Sequence, residues 1–434
     1  DDSWSAFYYD SATRMKDRIL AGIDLGSHTI RLAVGQISLG AERRDVLQLI
    51  GAHEVPSQGI TRGSIRSIDD AVAAISACLD GAERQIGVPV SEAYVGIGGT
   101  QVQAITTKGV VGVSRPENEI QEEDYFRVID AASGGQMANF DVLHRLPQRF
   151  TVDSQTDIKD PVGMEGKRLE ADVCVIQGLS GHVRSLTKAV GSANVDVSGI
   201  VFSPLATAEA SLSSRQRDLG VALVNIGATT TSVAVFEEGD LLHAAVIPMG
   251  ADHVTRDLAT MLRTDIDVAD RCKKAYVSAA PELTSDTDLV DLHDLGASEH
   301  ELVSPRFMSD IAAARIEELF AAVEKELRQA DRSGNLPAGI VLVGGGAKLR
   351  GMIEAAKKHL RLPATIASQA LVSTPLTEIA RDPAFSPAIG IMLWGFNQER
   401  SGPASGLGSM WSGKTKGVWK VGASMKKIFK SFIP

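Results

Sequence analysis

Two stretches far apart in the chain share one form. GIDLGSHTIRLAVG (residues 22–35) and LVNIGATTTSVAVF (residues 223–236) each read as an apolar strand, a tight turn opening on glycine, and a second β-rich strand. No single strand pair buries its own faces, so a unit that recurs in this way points to two similar halves around one site. Glycine lets the turn approach a ligand closely, and successive N–H groups there form a nest for an anion. A polar residue precedes each turn: Asp24 in the first, Asn225 in the second. Either could hold the water shell of Mg²⁺, an ion that keeps several of its waters. Taken singly, each stretch reads better as an ordinary hairpin.

At 434 residues the chain exceeds what one core serves, so two or more domains are expected. Cys78, Cys174 and Cys272 are too far apart for a disulfide framework or a zinc site, and suit buried apolar positions in a reducing compartment. No run approaches the ~18 apolar residues of a membrane span, and no signal-peptide core opens the chain. The net charge of −10 is unevenly spread, because residues 410–434 carry six lysines and no acid. An acidic body with a basic tail speaks against a nucleic-acid-binding face.

Residues 1–18 show no period and read as a flexible or added extension, with Met15 a candidate start. SIDDAVAAISACLDGAERQIG is an amphipathic helix with Ser67 as N-cap and Gly87 as its stop. Residues 91–176 read as a compact α/β insert containing one acidic helix. Further helices are expected in SGHVRSLTKAVGSA, in DHVTRDLATMLR and VADRCKKAYVSA, and in a long segment capped by Ser309 and ended by Gly334. Residues 281–303 read as strand and loop. The segment AGIVLVGGGAKLRG is a buried strand, three glycines and a helix. Gly344, Gly345 and Gly346 would let a flat ring or a phosphate press on the backbone, and a helix N-terminus there would favour an anion. Helix–strand packing explains such glycines too. The joint order of hairpin, insert, hairpin, helical pair and glycine turn is far more specific than any one member.

That order resembles the actin/Hsp70/sugar-kinase ATPase fold. Within it the chain is similar to the bacterial cell-division family FtsA, on VPSQGITRGSIRSIDDAVAAI, SEAYVGIGG, DPVGMEGKRLEADVCVI, LGVALVNIG, AAVIPMGADHVTRDLA, AGIVLVGGGAKLRGM and SPAIGIMLWG. The resemblance covers about residues 19–398. It implies an α/β, actin-like two-lobed fold whose inserted 1C subdomain (SHS2-type) replaces 1B. By the same resemblance, 19–90, 177–218 and 371–398 would form subdomain 1A, with 1C at 91–176. Residues 219–252 and 311–370 would form 2A, and 253–310 would form 2B.

The resemblance also implies ATP with Mg²⁺. Gly26, Ser27 and His28 would line the β- and γ-phosphates, and Gly227, Ala228, Thr229 and Thr230 would face them from the other lobe. Gly250 would lie near the phosphates, Asp270 and Lys273 would reach base or ribose, and Gly344–Gly346 would pack on adenosine. The implied role is a filament on the inner face of the cytoplasmic membrane at the division septum. There it would anchor FtsZ through 2B and recruit later division proteins through 1C.

Several positions depart from the family pattern. The second hairpin commonly carries two carboxylates, where this chain has Asn225 and Ser232; Ala228 and Thr229 replace glycines. His28 stands where a lysine is common, Asp270 where a glutamate is usual, and AAAR, ending at Arg315, stands for IEPR. Binding through backbone amides survives these changes, but ordering of metal and attacking water is weakened, so hydrolysis is expected to be slow or absent. Alternatives are an active ATPase or sugar kinase of this fold, or a related actin-like adaptor of pilus assembly.

Residues 399–409 read as a Gly/Ser/Pro linker. Beyond it, Val418, Val421, Met425, Ile428 and Phe432 fall on one helical stripe, which Trp419, Phe429 and Ile433 widen. Lys420, Lys426, Lys427 and Lys430 flank it, and Trp411 lies further back. The pattern is that of an in-plane helix on anionic lipid; a helix docked on the chain's own body is the alternative.

Overall fold

Each glycine hairpin seeds a five-stranded sheet in the computed structural model, which describes residues 18–39, 45–115, 117–133, 138–367 and 372–401. In the first sheet, β1 (Arg18–Leu25), β2 (Thr29–Leu39) and β3 (Asp45–Pro56) are antiparallel neighbours. On the other side of β1 run the parallel strands β4 (Glu92–Ile97) and β9 (Asp196–Phe202), giving the order β9-β4-β1-β2-β3. In the second sheet, β10 (Val221–Ile226), β11 (Thr231–Glu237) and β12 (Asp240–Ile247) form the meander. The strands β13 (Ile340–Val343) and β14 (Ala364–Ile366) continue it in parallel beyond β10.

Helices cover the sheets where their apolar stripes allow. α1 (Ile68–Ile86) buries Ala71, Ala74, Ile75, Cys78, Leu79 and Ala82 at helical spacing and packs on β2 and β3. Its ends are those expected. Ser67 Oγ accepts from the Asp70 N–H, and Gly87 takes the left-handed conformation and donates to the Glu83 carbonyl at 2.8 Å. α3 (Ser180–Ser192) lies beside α1, while α4 (Ser203–Ser211) and α9 (Ser386–Ser401) pack together, α9 lying on β1 and β2. Leu223, Ala234, Phe236 and Val341 of the second sheet join the core of the first lobe. The second sheet's other face buries Val224, Val233 and Leu342 in a core with α5 (Ala251–Met261), α6 (Ile266–Ala275), α7 (Pro305–Gln329) and α8 (Met352–Leu360).

Between β4 and α3 the chain leaves the first lobe to form a separate four-stranded sheet. It comprises β5 (Val102–Gly112), β6 (Phe140–Val152), β7 (Gln155–Ile158) and β8 (Arg168–Leu179), in the order β5-β8-β6-β7, with α2 (Glu122–Ala132) on one face. This insert has a core of its own. It also rests on the second lobe. The Gln148 side-chain amide donates to the carbonyls of Leu241 and Leu242, at 2.8 and 3.1 Å, where β12 slips register against β11. Lys159 pairs with Asp240 and, at 3.2 Å, with Glu238.

Several expectations are corrected. Residues 92–97 belong to the first sheet as β4, so the insert's own strands begin at Val102 and run through Leu179 rather than spanning 91–176. Ser309 does not cap the long helix. Ser304 does, accepting from the Phe307 N–H at 3.2 Å with Pro305 at the first turn, while Ser309 is buried and accepts from the Ser278 N–H. That helix ends at Gln329, short of Gly334. Gly345–Lys348 form a single 3-10 turn, and α8 starts only at Met352, so no α-helix N-terminus stands at the three glycines. Arg18 opens β1 and pairs with Glu399 at 2.7 Å, and α9 runs to Ser401, into the expected linker. The tail positions from Trp411 to Ile433 lie outside the described residues. The three cysteines are buried and free, and burial pushes the Cys78 and Cys174 thiols up to about 12.

Candidate functional site

The two hairpin turns face one cavity of about 710 Å³ between the lobes. Gly26, Ser27 and His28 line it from the first lobe, and Gly227, Ala228, Thr229 and Thr230 from the second. Gly344, Gly345 and Gly346, together with Asp270 and Lys273 of α6, form further wall, and Asp24 and Asn225 reach it as well.

The hairpins match in register. Leu25 pairs with Ile30 and Ile226 with Thr231, leaving four residues in each turn. A Cβ at Gly26 would stand 2.5 Å from the Thr29 carbonyl oxygen, and one at Gly227 2.9 Å from that of Thr230. Both turns are therefore closed too tightly for a side chain at the first position. Asp24 faces Arg31 across its ladder, whereas Asn225 faces Ser232.

Gly250 is not among the cavity-lining residues. It stands behind the second hairpin as the N-cap of α5, where a Cβ would lie 2.5 Å from the Gly227 oxygen. The next two amides, of Ala251 and Asp252, donate to the Gly227 and Ala228 carbonyls at 2.9 and 2.8 Å. Gly250 thus shapes the turn from outside because only a bare backbone fits there.

Charge in the cavity is unevenly placed. Burial pushes the Asp24 carboxyl up to about 6, and the Arg31 guanidinium pulls it the other way. Arg31 also donates to Glu54 at 2.9 Å and lies 5.5 Å over the Phe385 ring. On α6, burial opposes ionisation of Asp270, but hydrogen bonds from Lys273 and Lys274, at 2.7 and 2.6 Å, outweigh it and hold the carboxyl below its ordinary range. Lys273 also donates to Thr255 Oγ1 at 2.5 Å.

Two features of the wall fit a polar ligand. Thr229 is 7% exposed, and its hydroxyl has no hydrogen-bond partner among the described residues. Gly345 is exposed, with nothing among the described residues within 4 Å of where its Cβ would be, so one flat stretch of backbone is open. Gly344 plays a different part. Its φ is +85°, a Cβ there would lie 2.3 Å from Asn225 Oδ1, and its N–H donates across the lobes to the Pro383 carbonyl at 2.9 Å. Beside it, Lys348 pairs with Asp382 at 2.7 Å. Arg315 faces α5 instead, bound to both oxygens of Asp257.

Among the lining residues that sequence reasoning missed are Arg31, Asp252, Gly63 and the Gly98–Gly99 pair. The two glycines after β4 and the glycine-spaced GITRG were visible signals, but only folding brings them to the hairpin.

A family model described as cell division protein FtsA matches residues 222–390, and one described as the SHS2 domain inserted in FtsA matches residues 99–177. Cell division protein FtsA of Pseudomonas aeruginosa is 31% identical over 392 residues, covering 90% of this chain and 92% of its own. The chain belongs to the FtsA family of cell division proteins. The FtsA of Bacillus subtilis is 32% identical over 385 residues, with 88% and 85% covered. The SHS2 match starts just before β5, in agreement with the strand pairing. Among solved structures, a PilM–PilN type IV pilus biogenesis complex has a TM-score of 0.61 at 17% identity, covering 87% of this chain and 98% of that one. MreB5 of Spiroplasma citri bound to ADP has 0.52 at 12%, covering 88% and 98%. At those identities the likeness establishes the fold, which is actin-like.

Proposed function

We propose that this FtsA-family chain binds ATP with Mg²⁺ between its lobes and, so loaded, assembles on the inner face of the cytoplasmic membrane at the septum. The observation that carries the nucleotide reading is the pair of register-matched glycine turns across one cavity, with an open glycine backbone at Gly345. The Thr229 hydroxyl, without a partner among the described residues, fits a phosphate oxygen. The MreB5 structures, described as bound to ADP and to AMPPNP, lend the same fold a nucleotide. Among the described residues no cluster of three or more His, Cys, Asp or Glu side chains could hold a metal by itself. Mg²⁺ would therefore sit mainly on phosphate and water, with Asp24 and Asn225 acting through water. With one carboxylate where the family commonly has more, turnover is slow or absent.

In this reading the 2B region (253–310) takes FtsZ, the insert takes later division proteins, and the basic tail holds the membrane. Among the described residues no helix is long and apolar enough to cross a membrane, so attachment falls to the amphipathic pattern of residues 410–434. One short anchor binds reversibly, and assembly supplies avidity. The first test is titration of the full chain with a fluorescent ATP analogue and Mg²⁺. Saturable binding supports the cavity assignment, and its absence at millimolar nucleotide sinks it. Deleting residues 410–434 should abolish co-sedimentation with anionic vesicles; unchanged sedimentation would refute the anchor.

A further inference from the structure

The strap between β3 and α1, residues 57–66, lies between the first hairpin and the root of the insert. The Ser57 N–H donates to the His28 carbonyl at 2.9 Å, and the Gly63 N–H to Ser27 Oγ at 3.1 Å. Gly63 has a φ of +74°, and a Cβ on it would stand 2.7 Å from Gly99 Cα. In the other direction, a Cβ on Gly99 would lie 2.3 Å from the Arg62 oxygen. Gly99 is where the chain enters the insert: its carbonyl accepts from the Val102 N–H, the first residue of β5, at 3.2 Å. The exit is tied to the same place. The Leu179 N–H donates to the Gln101 carbonyl at 3.0 Å, and His182 Nε2 donates to that of Gly98 at 3.3 Å.

Ser27, Gly63, Gly98 and Gly99 all line the cavity, so the root of the insert is part of its wall. At its far side the insert sits on the second lobe through Gln148 and Lys159. It therefore spans both bodies that enclose the cavity.

We infer that the strap couples occupancy of the phosphate end of the cavity to the orientation of the insert, with Ser27 as the positioning residue; this rests on the cavity holding a nucleotide. Ser27 Oγ already accepts from Gly63, so its own proton is the one available to a phosphate oxygen. A ligand there fixes the hydroxyl and, through it, the Gly63 amide. Gly63 and Gly99 meet backbone to backbone with no side chain to absorb a shift, so a displacement of one passes to the other. Coupling of this kind is reciprocal: a partner that reorients the insert changes nucleotide affinity by the factor with which nucleotide changes that partner's affinity.

Hydrogen exchange read by mass spectrometry on the full chain, with and without saturating ATPγS and Mg²⁺, tests the coupling. Saturation is checked in the same samples by displacement of a fluorescent ATP analogue. Residues 57–66 and 98–112 should exchange at least about fivefold more slowly with nucleotide bound, along with both hairpin turns. In Ser27→Ala, which loses its own phosphate contact and is brought to saturation at higher nucleotide concentration, exchange at 227–230 should still slow while the response at 98–112 is lost; Ser27→Thr should restore it. Wild-type protein that saturates with nucleotide yet exchanges unchanged at 98–112 overturns the coupling and leaves the cavity assignment standing. A full response in Ser27→Ala does the same. Absence of saturable binding overturns both.

Discussion

Asp24 and Asn225 hold the same place in their two hairpins: each is the next-to-last residue of its strand, the first facing Arg31 and the second Ser232. One side of the cavity thus carries a carboxylate opposite a guanidinium, and the other an amide opposite a hydroxyl. Both turns open on a glycine with no room for a side chain. Such a site can grip a polyphosphate from two directions, but of the two hairpins only the first offers a carboxylate to a metal and its water.

Asn225→Asp should therefore raise ATP turnover by about tenfold or more, since positioning and charge are what the protein supplies in phosphoryl transfer. Phosphate release measures it, and affinity for the fluorescent analogue should stay within about threefold. Unchanged turnover would mean that the attacking water is not ordered from this hairpin.

The Asp24 carboxyl is raised from 3.8 to about 6 by burial. A carboxyl that binds its proton more tightly in the folded state contributes stability below its unfolded pKa, and that contribution is lost as pH rises through about 6. Asp24→Asn should then raise Tm at about pH 8 and change it less at about pH 4. The same substitution should remove the Mg²⁺-dependent part of nucleotide affinity. In the unaltered protein that part should fade as pH falls through about 6, because the metal's water shell needs the ionised form. A Mg²⁺ dependence that stays flat across this range would exclude Asp24 from the metal site.

Thr229→Val separates a ligand role from a structural one. The hydroxyl is buried without a partner among the described residues, so an isosteric apolar group should leave stability unchanged or raise it by up to about 1 kcal/mol. Nucleotide affinity should fall by about tenfold if the hydroxyl meets a phosphate. Thermal melts and titrations on one preparation read both, and undiminished affinity would remove Thr229 from the site.

Gly344 and Gly345 should respond oppositely to alanine. At Gly344 the left-handed backbone and the Asn225 side chain leave no room, and a loss of at least about 2 kcal/mol is expected. At Gly345 nothing among the described residues is within reach, so stability should hold to within about 0.5 kcal/mol while nucleotide binding weakens. Denaturant melts and titrations test the pair. Full nucleotide affinity in Gly345→Ala would show that no ligand lies on that stretch of backbone.

The parts of the fold legible in the sequence are those whose hydrogen bonds close within a few residues. The Ser67 and Gly87 ends of α1 and the two glycine turns satisfy their own backbone groups locally, so their residue types betray them. The family, too, was legible, because it is written in the order of such local units. Parallel pairing has no local mark. GluAlaTyrValGlyIle reads the same at the edge of an insert or in the middle of the first sheet, and only the pairing of Ile23 with Val95 decides it. Ser309 has the residue type of a cap, but it is buried against Ser278, and the helix starts earlier, with Ser304 accepting from the Phe307 N–H.

The chain by itself thus determined which residues turn, cap and line up along one face, since those choices depend on neighbours a few positions away. Tertiary structure alone decided that Gly250 braces the second turn from behind, that Arg31 and Asp252 enter the cavity, and that Gly63 meets Gly99 at the root of the insert. Those contacts join segments distant in sequence that only folding brings together, and close approach of backbones leaves no periodicity for a sequence to carry.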